Sequence, residues 1–478
     1  MTLLRVFYRS QLHKDIKMSD TIAAISTSTV GSGGIGIVRI SGDEAITIAD
    51  RVFTAKNGKK IANAATHTIH YGNIIDGDNN IIDEVLVSVM KAPNTYTKEN
   101  VIEINTHGGN LVTGRVLECV LKAGAVMAEP GEFTKRAFLN GRIDLSKAEA
   151  VIDIINSKTD FNLKNSVGQL NGRLTKEIDE LRDLILDEIA YMEAAMDDPE
   201  NIPMEDHLED LKKTLYGLRE RINKLKNTYN EGSLLKEGIT TVIAGKTNAG
   251  KSSLLNLLTG DESAIVTDIA GTTRDTVKEQ ISLGGILINL VDTAGIRETD
   301  DVVEAMGIRK AKEHLNDADL VIYVVDSSSA IGDEDREIIS LLEGKNYIVL
   351  LNKSDMEQAI TRDELYSNGI SKDAHIINFS TKTSDGLEQL TSTIKEIFSL
   401  NDVLINDEIV ITNSRHKYLL DESLNSIDLA LNGIDAGFSE DLVSIDIYNS
   451  YISLGKILGK EIEDDLADRI FEKFCMGK

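Results

Sequence analysis

The stretch ITTVIAGKTNAGKS, residues 239–252, decides the fold. Its first half is an unbroken apolar run ending in glycine, the pattern of a strand buried on both faces. Its second half, Gly245 to Ser252, fits GxxxxGK[ST], and the SLLNLL that follows has the texture of a helix. Strand, glycine-rich turn and helix in that order make a phosphate cradle. The glycines let backbone N–H groups wrap an anion, Lys251 reaches the outer phosphates, and the Ser252 hydroxyl is placed to ligate Mg²⁺.

Four further elements follow. Asp292-Thr293-Ala294-Gly295 comes directly after a second apolar strand, ILINLV, where a carboxylate can act on the Mg²⁺ shell and Gly295 can approach the γ-phosphate. Between the two lies Gly271-Thr272-Thr273-Arg274-Asp275, whose Thr273 offers a second hydroxyl to Mg²⁺. Asn352-Lys353-Ser354-Asp355 follows the strand YIVLL; its carboxylate can accept both N–H donors of a guanine edge, a pair that adenine lacks. Ser380-Thr381-Lys382 completes the base pocket. Four motifs in this order, each at a strand end, predict a GTP-binding domain of the translation-factor-related P-loop class.

Two departures shape its chemistry. Ile296 stands after DTAG where a Ras-like enzyme carries a water-orienting glutamine, and an aliphatic chain cannot position water. Glu304, Glu298 and Arg274 are the candidates to replace it. Asn248, inside the cradle, can either help hold a monovalent cation against the phosphates or close the loop by a hydrogen bond; spacing alone does not choose.

Outward from this core the texture changes. Residues 19–140 mix short apolar runs (35–40, 83–90, 100–109) with a helical stretch at 110–123, an α+β pattern. From about 145 the period is helical. Leu170, Leu174, Ile178, Leu181, Ile185, Ile189 and Met192 recur every three or four residues, as do Leu208, Leu211, Leu215, Leu218, Ile222 and Leu225. After 410 the helical period returns, with Leu419, Leu420, Leu424, Ile427 and Leu431, then Ile447, Tyr451, Leu454, Ile457 and Leu458. The expectation is a multidomain α/β chain: an α+β domain over 19–140, an all-α domain over 141–236 and 401–478, and a P-loop α/β domain inserted at 237–400.

The 478 residues suit about three domains at roughly 100–200 residues each. A formal charge of −27 excludes a basic nucleic-acid coat protein, and acids outnumber bases after 401, so the tail is no nucleic-acid arm. No run approaches a membrane span, and two cysteines in so long a chain suit a reducing compartment. The first residues carry Arg5, Arg9, Lys14 and Lys17 against Asp15. They read as an over-long start before Met18, with a mitochondrial presequence over 1–17 as the other reading.

PGEFTKRAFLNGRIDLSKAEAV (130–151), the string from GKTNAGKSSLLNLL to AIVTDIAGTTRD (245–275) and the terminal Cys475-Met-Gly-Lys478 together resemble the tRNA modification GTPase family MnmE (TrmE), from about residue 20 to the end. The resemblance implies a bacterial, cytoplasmic homodimer whose N-terminal domain binds a tetrahydrofolate, in a 5-formyl or 5,10-methylene form, and whose helical domain carries the inserted Ras-like G domain. With an FAD- and NADH-dependent GidA (MnmG) partner, in a heterotetramer, it implies addition of a carboxymethylaminomethyl-type group at C5 of wobble uridine in tRNA. It implies K⁺-stimulated GTP hydrolysis with G-domain dimerisation.

By position, the resemblance assigns GTP to Asn248, Ala249, Gly250, Lys251, Ser252, Ser253, Thr267, Thr272, Thr273, the Asp292–Gly295 run, Asn352, Lys353, Asp355, Ser380, Thr381 and Lys382. It gives Mg²⁺ to Ser252 and Thr273, and K⁺ to Asn248, Thr267, Ile269 and Thr272. Catalysis falls to Glu304, with Lys251 and Thr273, so the resemblance singles out Glu304 among the three water-orienting candidates. Folate falls to Arg39, Glu103, Arg142 and Lys478, with Cys475 near the chemistry. Arg142 replaces a lysine found in some members, and STK replaces the commoner SAK or SAR. The competing reading is a GTPase switch in ribosome assembly or signalling. It requires no folate affinity and predicts a basic RNA-binding appendage, which the sequence lacks.

Overall fold

The computed structural model describes residues 20–27, 33–204, 207–260, 277–291, 315–400, 408–461, 470–471, 474 and 477. The chain forms two units, one of residues 1–152 with 458–478 and one of residues 153–457.

The first unit is built on a seven-stranded sheet of order β3-β4-β5-β6-β2-β1-β7. The strands are β1 (Ile22–Ile25), β2 (Ile35–Ser41), β3 (Phe53–Ala55), β4 (Thr68–Ile75), β5 (Ile81–Met90), β6 (Val101–His107) and β7 (Val126–Met127). All pairs are antiparallel except β1 with β7. Period-two alternation gives the sheet two faces. Val38, Ile40, Val85, Val87, Val89, Ile102 and Ile104 point to one, where α1 (Ala45–Val52) and α2 (Asn110–Lys122) close a core through Ile48, Ala49, Val116 and Val120. On the opposite face register aligns Ile69, Ser88, Glu103 and Arg39 in one row and Tyr71, Leu86, Asn105 and Ile37 in the next. Part of that face is covered, where Ile22 and Ala24 of β1 pack against Phe133 of α3 (Glu132–Leu139). The β4–β5 part is not: Ile69, Tyr71 and Leu86 are 67%, 52% and 46% exposed. Helix α4 (Leu145–Ile155) joins Phe471 and Phe474, returning from the far end of the chain, in a small separate core.

The second unit begins with helices α5 (Asp160–Leu170), α6 (Arg173–Asp197), α7 (Leu208–Asn227) and α8 (Tyr229–Glu237). Leu170 closes α5 rather than continuing the α6 stripe, because Gly172, at φ +88°, breaks the helix between them. A six-stranded sheet follows, with β8 (Ile239–Ala244), β9 (Val277–Leu283), β10 (Ile286–Val291), β11 (Leu320–Asp326), β12 (Tyr347–Asn352) and β13 (His375–Asn378) in the order β13-β12-β11-β8-β10-β9. Five strands are parallel, as alternation with helices predicts. The sixth, β9, is antiparallel to β10, because the two-residue Gly284-Gly285 turn, both at positive φ, makes a hairpin instead of a crossover.

Helices cover both faces of the sheet. On one, α9 (Lys251–Gly260) and α12 (Leu387–Ile397) pack through Leu254, Leu258, Leu390 and Ile394. On the other, α10 (Asp333–Ser340) and α11 (Arg362–Ser367) pack through Ile339 and Leu365. Helices α13 (Ser414–Asp435) and α14 (Glu440–Leu458) end the unit. Three ion pairs, Lys212–Asp435, Arg219–Asp428 and Lys226–Asp421, run in opposite senses along α7 and α13, so the two helices lie antiparallel. Much of the positive charge of α7 is thereby engaged by neighbouring acids.

Candidate functional site

In a sheet wound on both faces, ligands bind beyond the carboxyl ends of the strands where strand order reverses. That point is β8, flanked by β10 and β11, and the Gly245–Ser252 loop leaves its end. Gly245 and Gly250 have φ of +154° and +103°. A Cβ on Gly245 would lie 2.3 Å from the Val324 carbonyl oxygen, and one on Gly250 would lie 2.0 Å from the Asn352 amide nitrogen. Only glycine allows the loop to fold this tightly, so the cradle is built into the backbone. Asn248, at φ +64°, shares the curl.

Lys251 crosses the loop and donates from Nζ to the carbonyl oxygens of Gly245 (2.6 Å) and Lys246 (2.8 Å). Burial pushes its pKa down, against a smaller opposing effect of Glu334. A partly desolvated ammonium that donates to two carbonyl oxygens gains when a polyphosphate supplies negative charge, so the residues present fit that ligand. Ser252 is exposed in the first turn of α9, directly after the loop.

The base side is assembled from the adjacent strand ends. Asn352, 1% exposed, donates through Nδ2 to the Ala249 carbonyl (2.9 Å) and accepts through Oδ1 from the Thr381 N–H (3.2 Å). One buried amide thus ties the phosphate loop to the base loop. Ser380 Oγ donates to Asp355 Oδ1 (2.9 Å), leaving the other carboxylate oxygen for a ligand. Ser380 also receives the N–H groups of Lys382 and Thr383, each at 3.3 Å.

Two residues that motif reading passes over complete the frame. Asp326, at the end of the otherwise apolar β11, accepts from Lys353 Nζ at 2.5 Å and from the hydroxyl of Ser328 at 2.6 Å. Burial would raise its pKa, but those bonds outweigh it and hold the carboxyl below its ordinary value. Asp335, fully buried in α10, accepts from Tyr323 Oη (3.0 Å) and lies 3.3 Å from Lys246 Nζ. Burial first, then the nearby carboxylate, drives the Tyr323 pKa far up. The available signal was a lone acid ending an apolar strand, LVIYVVD.

In the first unit, Arg39 donates from Nε to Glu103 Oε1 (2.9 Å) and from Nη1 to the Gly477 carbonyl (3.2 Å). Its guanidinium lies 5.6 Å from the Phe133 ring centre and 5.9 Å from that of Tyr96, and Arg142 stands 4.8 Å from Tyr96. Gly477 (φ +85°) also accepts from Ser26 Oγ (2.8 Å) and runs so close to β1 that a Cβ would meet the Ile25 carbonyl at 2.1 Å. Beneath this cluster, buried Arg136 bridges Glu132 (2.8 Å) and Glu99 (3.2 Å), fixing α3 against the 96–99 loop. Two guanidiniums beside an aromatic ring and near the returning chain end suit a planar, anionic ligand.

Thr267, Ile269, Thr272, Thr273, Asp292, Thr293, Ala294, Gly295, Glu304, Cys475 and Lys478 lie outside the described residues, as do Arg274, Ile296 and Glu298.

Comparison with known proteins adds the family. The MnmE helical domain family model matches residues 145–475, and the model for the N-terminus of GTP-binding protein TrmE matches residues 21–142. A protein of Lachnoclostridium phytofermentans named tRNA modification GTPase MnmE is 48% identical over 461 residues, covering 96% of this chain and 100% of that one. One of the same name from Thermoanaerobacter pseudethanolicus is 47% identical over 460 residues, covering 96% and 99%. Among solved structures, the G domain of the T. maritima FeoB iron transporter is 28% identical with a TM-score of 0.25, covering 34% of this chain and 98% of that one. So low a TM-score adds nothing to the strand order given above.

Proposed function

The chain belongs to the MnmE family of tRNA modification GTPases, and from that premise we propose that it uses GTP hydrolysis to support C5 modification of wobble uridine with a one-carbon unit carried by tetrahydrofolate. It is a GTP-hydrolysing enzyme of tRNA modification. The observation that supports the reading is the Asn352 bridge, which ties the Ala249 loop to the Thr381 loop.

Asp355 accepts the N–H donors of guanine, Lys353 and the Ser380–Lys382 loop flank the base, and the 245–253 backbone wraps the phosphates. Water attacks the γ-phosphorus as the bond to the β–γ bridging oxygen breaks; GDP leaves, and the water proton passes to phosphate. Lys251 stabilises charge gathering on the bridging oxygen. Glu304 orients the water in place of the glutamine that Ile296 displaces. Mg²⁺ on Ser252 and Thr273, and K⁺ on Asn248, Thr267, Ile269 and Thr272, supply further positive charge when bound.

In the N-terminal unit, Arg39, Glu103, Arg142 and Lys478 hold a tetrahydrofolate, with Cys475 nearby. The exposed Ile69, Tyr71 and Leu86 face is the surface on which two copies meet, since so much apolar area on one sheet face favours a partner. A folate domain at 19–140, a helical domain at 141–236 and 401–478, and a G domain at 237–400 make up the working chain. An FAD- and NADH-dependent partner completes the reaction and provides most of the tRNA contact. Among the described residues no helix is long and apolar enough to cross a membrane, and we place the activity in the cytoplasm.

Equilibrium dialysis against 5-formyltetrahydrofolate tests the folate assignment. Saturable binding by the wild type, weakened by Arg39→Met, is expected. No binding by the wild type would leave a GTPase switch as the better reading.

A further inference from the structure

Lys158 lies in the short connection between α4 and α5, at the border between helices and the inserted sheet. Its Nζ donates to Gln280 Oε1 on β9. Gln280 and Asn289 are directly opposed across the β9–β10 hairpin, and Gln280 Nε2 donates to Asn289 Oδ1 at 2.8 Å. Asn289 Nδ2 in turn donates to the Glu237 carbonyl, the last residue of α8, at 2.8 Å. A continuous polar chain therefore runs from the α4–α5 connection, across both strands of the hairpin, to the end of α8. Partial burial pushes the Lys158 pKa down.

The surroundings turn this chain into a brace. Ile281, Ile286 and Ile288 of the hairpin share one core with Leu235 of α8, and Phe161 of α5 packs against it. Asn162 of α5 donates to the Leu235 carbonyl (3.1 Å), and Lys236 pairs with Asp153 of α4 at 2.7 Å. The hairpin is joined to the helices by apolar packing and by a charge-assisted hydrogen bond whose direction depends on strand register. Its position in sequence gives the brace its meaning. Strand β9 starts at Val277, just after Gly271–Asp275, and β10 ends at Val291, immediately before Asp292. Those two motifs are the ones that respond to the γ-phosphate in GTPases.

We infer that Lys158, Gln280 and Asn289 are positioning residues that transmit the nucleotide state from the β9–β10 hairpin to helices α4, α5 and α8, coupling hydrolysis to the modification reaction. Among the described residues, the bonds of these three run to one another and to Glu237, not to the phosphate or base loops. Their loss should uncouple the two activities and spare GTP hydrolysis itself. This rests on the tRNA modification reading above.

The test measures GTP turnover and modified uridine formed per GTP for wild type, Lys158→Met, Gln280→Met and the double variant, with the FAD-dependent partner present. Wild type is read first; if it makes no modified uridine, the functional reading fails and not the brace. With an active wild type, each single variant should lose at least about five-fold in modified uridine per GTP, the lower end of coupling between linked sites. GTP kcat should stay within about two-fold, and the double variant should be no worse than the poorer single, because both break one chain. Unchanged modification per GTP would overturn the inference, as would parallel loss of both activities or multiplicative losses in the double variant. Should Lys158→Met fail to melt cooperatively, Gln280→Met decides by the same outcomes.

Discussion

In the nucleotide cleft the working groups leave four neighbouring strand ends of one sheet, after Ala244, Asp326, Asn352 and Asn378. In the N-terminal unit Arg39 and the Gly477 carbonyl that it binds are 438 residues apart, joined by the return of the chain end onto β1. The cleft recognises its ligand mainly with backbone shaped by glycine, which leaves a short, fixed-spacing signature. The N-terminal site we propose gathers two arginines and an aromatic ring from distant segments, and no local spacing records that meeting. The contrast predicts two sites that should fail differently.

The largest effect should come from the cleft. Lys251→Met should cut GTP turnover about 100- to 1,000-fold in steady-state kinetics, the usual cost of removing a charge-stabilising donor, while 5-formyltetrahydrofolate still binds. Loss of folate affinity in the same variant would break the separation of the two sites. Next, Asp355→Asn should weaken GTP about 10- to 100-fold in competition binding, the loss expected for charge-assisted bonds, and weaken xanthosine triphosphate much less. Equal weakening of both would mean that Asp355 serves the loop through Ser380 and not the base.

On the other side, Arg39→Met should weaken 5-formyltetrahydrofolate about ten-fold by dialysis and leave GTP turnover untouched. Smaller still, turnover should be several-fold faster in KCl than in NaCl, and Asn248→Ala should erase the difference. Equal wild-type rates would leave Asn248 as a loop-closing residue.

The smallest effect concerns pH. The Asp326 carboxyl is held below its ordinary value by Lys353 and Ser328 against the effect of burial. Its contribution is therefore present above about pH 4 and is lost as pH falls through the lowered value. Melting temperature should be insensitive to this group between pH 7 and 5. Below about pH 4 it should drop more in wild type than in Asp326→Asn.

Much of the fold was legible because its periods are strong. The strands at 35–40, 83–90 and 286–291 alternate or run apolar as expected, and the stripes of α6, α7 and α13 are buried apart from half-buried Leu208 at the start of α7. The antiparallel β9 was not, since a Gly-Gly hairpin leaves no period of its own. In the cleft, the motifs pointed to Lys251, Asn352, Asp355 and Ser380, which the fold brings together. Asp326 and Asp335 escaped because their importance depends on lying opposite Lys353 and Lys246 after folding. The residues proposed to hold folate were legible only through resemblance. Arg39 in GIVRISG is, to any local reading, an ordinary strand arginine until Glu103, Tyr96 and Gly477 surround it.

The acidity of the chain bears on its substrate. With cations such as Lys212, Arg219 and Lys226 paired to acids of α13, tRNA binding by this chain alone should be weak and salt-sensitive.

The central claim is that both sites serve one tRNA modification. Nucleoside mass spectrometry of bulk tRNA from cells lacking this gene, beside cells complemented with wild type, Lys251→Met or Arg39→Met, tests it most directly. The account predicts loss of C5-aminomethyl uridines, restored by wild type, not by Lys251→Met, and only in part by Arg39→Met. An unchanged nucleoside profile in the deletion, with no second copy of the gene present, would contradict it.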